Sequence, residues 1–379
     1  MRIAVPAETD PAETRVAATP DTVKKYLSFG AEVAVEAGAG VLSSIPDADY
    51  AAAGATIAPD AAAALADADM VLRVRRPSAG EVAGVKPGAA VLAIMDPYDH
   101  LDALQSLASV PVAAFAMELM PRITRAQVMD VLSSQANLAG YRAVIEAAAE
   151  YGRAIPMMTT AAGTVPPAKI FIMGVGVAGL QAIATAKRIG GAVSATDVRP
   201  ATKEQVQSLG GKFIAVEDDE FRQAETAAGY AKEMSAEYKA KQAELTAAHI
   251  AKQDIVITTA LIPGRRAPML VSAEMVRSMR PGSVIIDLAA ERGGNCALTK
   301  PGETIHSDNG VKIIGAVSLA GLLPATASAL YAKNLLAFAE TMIDKTAKAL
   351  AIQWDDELVA ATLLTKDGAV VHPSFRPAS

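Results

Sequence analysis

The sequence is poor in the residues that mark several whole classes of protein. One cysteine, Cys296, stands among 379 residues. No disulfide framework or thiolate metal cluster can therefore form within the chain, and such usage fits a reducing compartment. The four histidines, His100, His249, His306 and His372, are scattered over polar stretches, and no metal site is expected from them. Aromatic residues make up only 4%, so the cores must be built from Ala, Val, Ile, Leu and Met, as in helices packed on parallel strands. Dense basic runs are absent and the net charge is −6, which argues against nucleic acid or anionic lipid as the main partner. No export signal is visible at the amino terminus, so a cytoplasmic location is the expectation. The longest uncharged stretch, Ile313 to Ala332, contains Gly315, Gly321 and Pro324 and reads as strand, loop and helix start, not as a membrane span.

What is present is a repeating alternation of short apolar runs and helical stretches. Ile3 to Val5, Val33 to Val35, Asp69 to Val74, Ala89 to Met95 and Val110 to Met117 read as buried strands of a parallel sheet covered on both faces. Thr124 to Arg153 has helical spacing without proline and is expected to be one long connecting helix. A second series follows at Lys169 to Met173, Ala192 to Thr196, Lys212 to Val216, Asp254 to Thr259, Ser283 to Leu288 and Val311 to Gly315. A terminal helix over Ala325 to Leu350 and a turn at Lys366-Asp367-Gly368 complete the chain. The expected architecture is α/β: two Rossmann-like, doubly wound domains joined by a long helix, with a cofactor in the cleft. Residues 1–132, completed by 325–379, would form the first domain, and 133–324 the second.

The most informative segment is Lys169-Ile-Phe-Ile-Met-Gly174-Val175-Gly176-Val177-Ala-Gly179, between a strand and a helix. Gly174 permits the tight turn, Gly176 lets the backbone approach a pyrophosphate, and Gly179 allows helix and strand to pack closely. The helix start offers its unpaired N–H groups to phosphate. Asp197 closes the next strand; a carboxylate there accepts hydrogen bonds from adenosine ribose hydroxyls and repels a 2′-phosphate, favouring NAD(H). Arg199, just beyond, is the competing clue for a 2′-phosphate.

Longer motifs carry a family resemblance. They are Arg15-Val-Ala, the run from Met117-Glu-Leu-Met-Pro-Arg122 to Asp130, Ser133-Ser-Gln-Ala-Asn-Leu-Ala-Gly140-Tyr-Arg, Ala161-Ala-Gly-Thr-Val-Pro-Pro167, Gly229-Tyr230-Ala-Lys-Glu-Met234, Thr258-Thr-Ala-Leu261 and Gly282-Ser-Val-Ile-Ile-Asp287. Over nearly its whole length the chain resembles the alanine dehydrogenase and transhydrogenase family. Within it, the similarity is to the NAD(H)-binding α subunits of proton-translocating transhydrogenases. The two branches differ in chemistry. An amino-acid dehydrogenase moves a proton with the hydride and needs a positioned Lys or His. At the positions of that lysine and histidine this chain has Arg75 and Asp96, and arginine does not give up a proton near neutral pH. Direct transfer between two nicotinamides needs no such pair.

The resemblance implies a Re/Si-specific, proton-translocating transhydrogenase subunit that passes hydride between NADH and NADP⁺ on a partner. It places Arg122, Gln127, Asp130 and Ser133 at the dihydronicotinamide and its ribose. Nucleotide contacts would come from Gly174, Val175, Gly176, Val177, Gly179, Asp197, Val198, Arg199, Gly229, Tyr230, Met234, Gln242 and Leu261. Tyr230 and Met234 belong to a polar insertion, Glu217 to Gln253, that matches a loop folding over bound NAD(H). The implied cofactors are NAD(H) here and NADP(H) on the partner subunit. The implied assembly is a homodimer with NADP(H)-binding and transmembrane subunits, peripheral on the cytoplasmic face of the inner membrane. After Ile314 the family's Pro and Arg are replaced in Val317-Ser-Leu-Ala-Gly-Leu322. The rival readings are an alanine dehydrogenase-like enzyme and a non-catalytic NAD(H)-binding module.

Overall fold

The computed structural model describes residues 1–224, 234–262 and 264–376. The chain divides into two compact units. Met1–Gln135 with the chain from Ala320 onward forms one, and Ala136–Leu319 the other.

In the first unit, β1 (Arg2–Val5), β2 (Glu32–Glu36), β3 (Thr56–Ala58), β4 (Met70–Arg75), β5 (Ala90–Ile94) and β6 (Ala113–Ala116) run parallel. Their small and branched apolar residues suit strands covered on both faces; in β4 every residue but Arg75 is buried. One face of the sheet packs Tyr26, Phe115, Tyr331 and Phe338, the other Leu104, Leu107, Met95 and Leu364.

The second unit begins its strands with a small hairpin of β7 (Met158–Thr160) and β8 (Gly163–Val165). Its sheet follows as β9 (Lys169–Met173), β10 (Ala192–Thr196), β11 (Lys212–Phe213), β12 (Ile255–Thr258), β13 (Val284–Asp287), β14 (Thr304–His306) and β15 (Lys312–Gly315). After Ala320 the chain adds β16 (Ile343–Asp344) and β17 (Ala349–Leu350) as a separate hairpin, then β18 (Leu363–Lys366) and β19 (Ala369–Val370) on the first sheet. Asp367 and Gly368, both at positive φ, make the two-residue turn between β18 and β19, the conformation that such a hairpin favours.

The strand orders are β19-β18-β6-β5-β4-β1-β2-β3 and β11-β10-β9-β12-β13-β15-β14. Each contains the doubly wound order 3-2-1-4-5-6, which reverses between β1 and β4 in one unit and between β9 and β12 in the other. Ligands of such sheets bind beyond the carboxyl ends of the strands at that reversal.

The structure corrects two helix expectations. Thr124 to Arg153 is not one helix: a 3₁₀ segment covers Thr124–Met129, Asp130 is extended with ψ 92, and the α-helix runs Val131–Glu150. The break has a local cause, because the Asp130 carboxylate accepts the Ser133 N–H at 2.9 Å and its hydroxyl at 2.5 Å, competing with helix continuation. The terminal helix spans Pro324–Glu340 and stops ten residues before Leu350, which belongs to β17. Among the described residues no helix is long and apolar enough to cross a membrane.

Candidate functional site

Beyond β9 the chain turns sharply at Gly174, whose φ of +103 suits glycine alone. Its N–H bonds back to the Thr196 carbonyl at 2.9 Å. The helix Val177–Arg188 then rises from Gly176. A Cβ on Gly179 would stand 1.9 Å from the Gly174 carbonyl oxygen, so this glycine is fixed by helix packing. Gly176 differs from both. Its φ of −80 and ψ of −166 suit any residue, and a Cβ there would meet nothing within 4 Å. Neither backbone strain nor packing calls for glycine at this place, whereas a ligand lying against the main chain would. No side chain caps the helix start, which leaves its first N–H groups for an anion.

Asp197 lies beside this turn at the end of β10. One carboxylate oxygen accepts the Val175 N–H at 2.8 Å and the other accepts the Arg199 N–H at 2.9 Å. The Arg199 guanidinium pairs with the same carboxylate at 3.0 and 3.1 Å and reaches the Val175 carbonyl at 3.2 Å. Its charge is thus matched by Asp197. Val177 and Val198 hold large apolar side chains in solvent on either side of the turn. Across the reversal, Thr259 donates its N–H to the Met173 carbonyl at 2.8 Å and its hydroxyl to the Gly174 carbonyl at 3.0 Å. Leu261 follows, 54% exposed.

From the insertion, Gln242 accepts the Val216 N–H at 2.9 Å and turns its amide toward Thr196 at 3.4 Å, beside the Asp197 strand end. Met234 is buried. Gly229 and Tyr230 lie outside the described residues.

The set Arg122, Gln127, Asp130 and Ser133 belongs to the first unit. Arg122 and Gln127 are exposed, and Asp130 and Ser133 half-buried. Asp130 and Ser133 are joined by the cap described above. The segment is pinned from behind: Ser134 donates to Asn334 at 2.7 Å, which returns its amide to the Val128 carbonyl at 2.8 Å. Gln135, buried, donates to the Ala327 carbonyl and accepts from Arg15 at 2.9 Å.

Residues 4–139 match the alanine dehydrogenase/PNT N-terminal domain and residues 143–373 the alanine dehydrogenase/PNT C-terminal domain. The chain belongs to the alanine dehydrogenase/PNT family. It is 55% identical to an NAD(P) transhydrogenase subunit alpha chain of Rhodospirillum rubrum, over 99% of both chains. A solved transhydrogenase from Sinorhizobium meliloti is similar with a TM-score of 0.89 and 58% identity, over 98% of this chain and 100% of that one. A solved L-alanine dehydrogenase has a TM-score of 0.83 at 25% identity, over 99% and 98% of the two chains.

Within this family the strand ends of the first unit bear on the choice of chemistry. Arg75 donates to Glu13 at 2.7 Å, and Glu13, fully buried, is gripped by both arms of Arg15 at 2.6 Å. Asp96 takes the left-handed backbone conformation with φ 47 and stands 3.4 Å from His100. Nothing in the sequence singles out Glu13, and Gln135 and Thr259 stand there only inside longer motifs. The available signal was their place just past strand ends or beside an already recognised motif residue.

Proposed function

We propose that the chain binds NAD(H) and takes part in direct hydride transfer between NADH and NADP⁺ held on a separate subunit, with a membrane subunit coupling the exchange to proton translocation. The observation that carries the nucleotide reading is Gly176, a glycine required by neither fold nor strain and placed beside an uncapped helix start. Gly176, Val177 and Gly179, at the uncapped helix start, would offer backbone N–H groups to the pyrophosphate, and Gly174 and Val175, whose own N–H groups bond to Thr196 and Asp197, would shape the turn that receives it. Asp197 would accept the ribose hydroxyls, and its pairing with Arg199 leaves that guanidinium poorly placed to select a 2′-phosphate. Val198 and Leu261 would supply apolar walls. Met234 and Gln242, with Gly229 and Tyr230, would cover the nucleotide and exclude water.

Bound NADH supplies a hydride, and its transfer to a second nicotinamide needs no acid or base from this chain. Arg122 would give charge-assisted hydrogen bonds near the carboxamide or ribose, and Gln127, Asp130 and Ser133 would orient the ring end. The pairing of Arg75 with Glu13 disfavours the amino-acid dehydrogenase reading, since an arginine held in an ion pair is not the Lys or His that such a reaction uses as acid and base. Homodimer formation is supported by the β7–β8 hairpin, exposed along all six strand residues; a lone two-stranded hairpin is marginal in water and calls for a cover. Partnership with a membrane subunit would place the chain at the membrane surface, and the family resemblance favours the cytoplasmic face.

The test is to mix the chain with an NADP(H)-binding transhydrogenase subunit, add NADPH and an NAD⁺ analogue, and follow reduction of the analogue. Exchange that needs both proteins is the expected result. Alanine-dependent NAD⁺ reduction by the chain alone, without exchange, would overturn the proposal in favour of the dehydrogenase.

A further inference from the structure

Asn295 is fully buried in the loop after β13, and its side chain is linked to the glycine turn through Ala260 and Thr259. Its amide donates to the carbonyls of Ala260 at 2.9 Å and Pro268 at 2.8 Å, while its oxygen accepts the Ala260 N–H at 3.1 Å. Both backbone groups of Ala260 are thereby fixed. Ala260 follows Thr259, the residue hydrogen-bonded to the Gly174 carbonyl, and precedes Leu261 and Ile262, which are 54% and 44% exposed.

Asn295 is held in turn by Asp287, a fully buried carboxylate at the end of β13. Asp287 accepts the N–H groups of Asn295 at 2.7 Å, Cys296 at 3.0 Å and Ala289 at 2.9 Å, and the hydroxyls of Thr258 at 3.0 Å and Thr299 at 2.6 Å. So many donors explain how a carboxylate is tolerated there. The Asn295 carbonyl also accepts from Leu270 and Val271 at 2.8 and 2.9 Å, closing the clamp on the far side of the same loop. A clamp of this rigidity under two solvent-facing apolar side chains fits a binding surface better than a free loop, because a contact residue acts only as well as the shell that fixes it.

We propose that Asn295, seated by Asp287, is a positioning residue for the nucleotide: it fixes the backbone at Ala260 so that Leu261 presents its side chain to a dinucleotide on the Gly174–Gly179 turn. This rests on the reading of that turn as an NAD(H) site.

The test is a double-mutant cycle on NADH affinity, measured by titration of the chain alone, with cooperative unfolding as the check on folding. Asn295→Ala, and Asn295→Asp as the variant of unchanged volume, should each weaken NADH binding by about tenfold, the scale of one misplaced apolar contact. Leu261→Ala should do the same. The double variant Asn295→Ala/Leu261→Ala should bind no worse than Leu261→Ala alone, because the two act through one contact. Asn309 provides the matched control, since its amide clamps the carbonyls of Val276, Arg277 and Met279 at 3.0–3.2 Å in the same unit. Asn309→Ala should lower stability and leave NADH affinity unchanged. Additive losses in the double variant, or wild-type affinity in both Asn295 variants, would overturn the positioning role alone. A wild-type chain that binds no NADH would overturn the nucleotide reading with it.

Discussion

The two units share one strand order, and what each places at its order reversal differs in kind. Beyond β9 and β12 the second unit leaves main chain: a glycine turn, an uncapped helix start and a glycine facing open space. Beyond β1 and β4 the first unit places charge. Glu8 accepts the Val74 and Arg75 N–H groups at 2.7 and 3.2 Å. Buried Arg73 pairs with Glu81 at 2.9 Å and more loosely with Glu8 at 3.5 Å, and Glu13 joins Arg15 to Arg75. The same topology makes the same crevice, and the residues at the strand ends decide whether it stays available or is filled. Main-chain donors commit a crevice to an anion without bringing in competing side chains, whereas side-chain ion pairs occupy it with charges that answer one another.

The comparison breaks most strongly at Glu13. Removing one partner from a buried ion set leaves the others uncompensated, at a cost of about 3–5 kcal/mol. Glu13→Gln should therefore lower unfolding stability by that amount, measured by denaturant titration. The pH dependence sharpens the point. Burial alone would raise the Glu13 carboxyl, but hydrogen bonding and charge from Arg15, then the charge of Arg75, hold it below its ordinary 4.5. The folded state then binds fewer protons than the unfolded one, so this contribution is complete above pH 4.5 and is lost as pH falls through the depressed value. Glu13→Gln should flatten that acid limb. An unchanged limb would mean that the first unit's crevice is not held by this carboxylate.

In the second unit a pair of glycine variants should separate packing from binding. Gly179→Ala forces a Cβ against a carbonyl oxygen at 1.9 Å and should cost about 1–3 kcal/mol of stability together with nucleotide affinity. Gly176→Ala places its Cβ in open space and should cost no more than about 1 kcal/mol, the loss of a glycine at the helix N-cap. Its NADH affinity should nonetheless fall by about tenfold or more, because the close approach of the pyrophosphate is lost. Wild-type NADH binding by Gly176→Ala would remove the contrast between the two crevices.

How far the sequence reveals these features depends on how local they are. The β9 strand, its glycine turn and the following helix are contiguous, and the conformations that Gly174 and Gly179 need follow from neighbours within five residues. The parallel strands are equally readable, since β5 is an unbroken apolar run and β12 is one up to its closing Thr258. The β7–β8 hairpin escapes a reading by apolar pattern because none of its strand residues is buried; its threonines and Gly163, which the structure shows at positive φ, are the signs the sequence offers. The terminal helix overran because nothing apolar distinguishes Ile343 to Leu350 from a further turn, and the hairpin there depends on Lys348 adopting φ 52. Asn295 acts on Ala260 and Pro268, 35 and 27 positions away, and Asp287 reaches Thr258, 29 positions away, relations that spacing does not encode. An aspartate ending the apolar strand Val-Ile-Ile-Asp was the one hint, for a buried carboxylate must find donors.

The smallest effect concerns Asp130, where structural and functional roles share one side chain. As a helix cap it bonds both the N–H and the hydroxyl of Ser133, so Asp130→Ala should cost about 1 kcal/mol. Asn caps about as well as Asp, so Asp130→Asn should melt within a few tenths of a kcal/mol of the wild type while losing the charge. If the cap were the whole role, hydride exchange by Asp130→Asn with the NADP(H)-binding subunit would equal that of the wild type. A nucleotide role requires a slower exchange in a protein of unchanged stability. Thermal unfolding and exchange rate, measured on the same preparation, therefore tell whether the polar set of the first unit has a part in hydride exchange or only starts a helix.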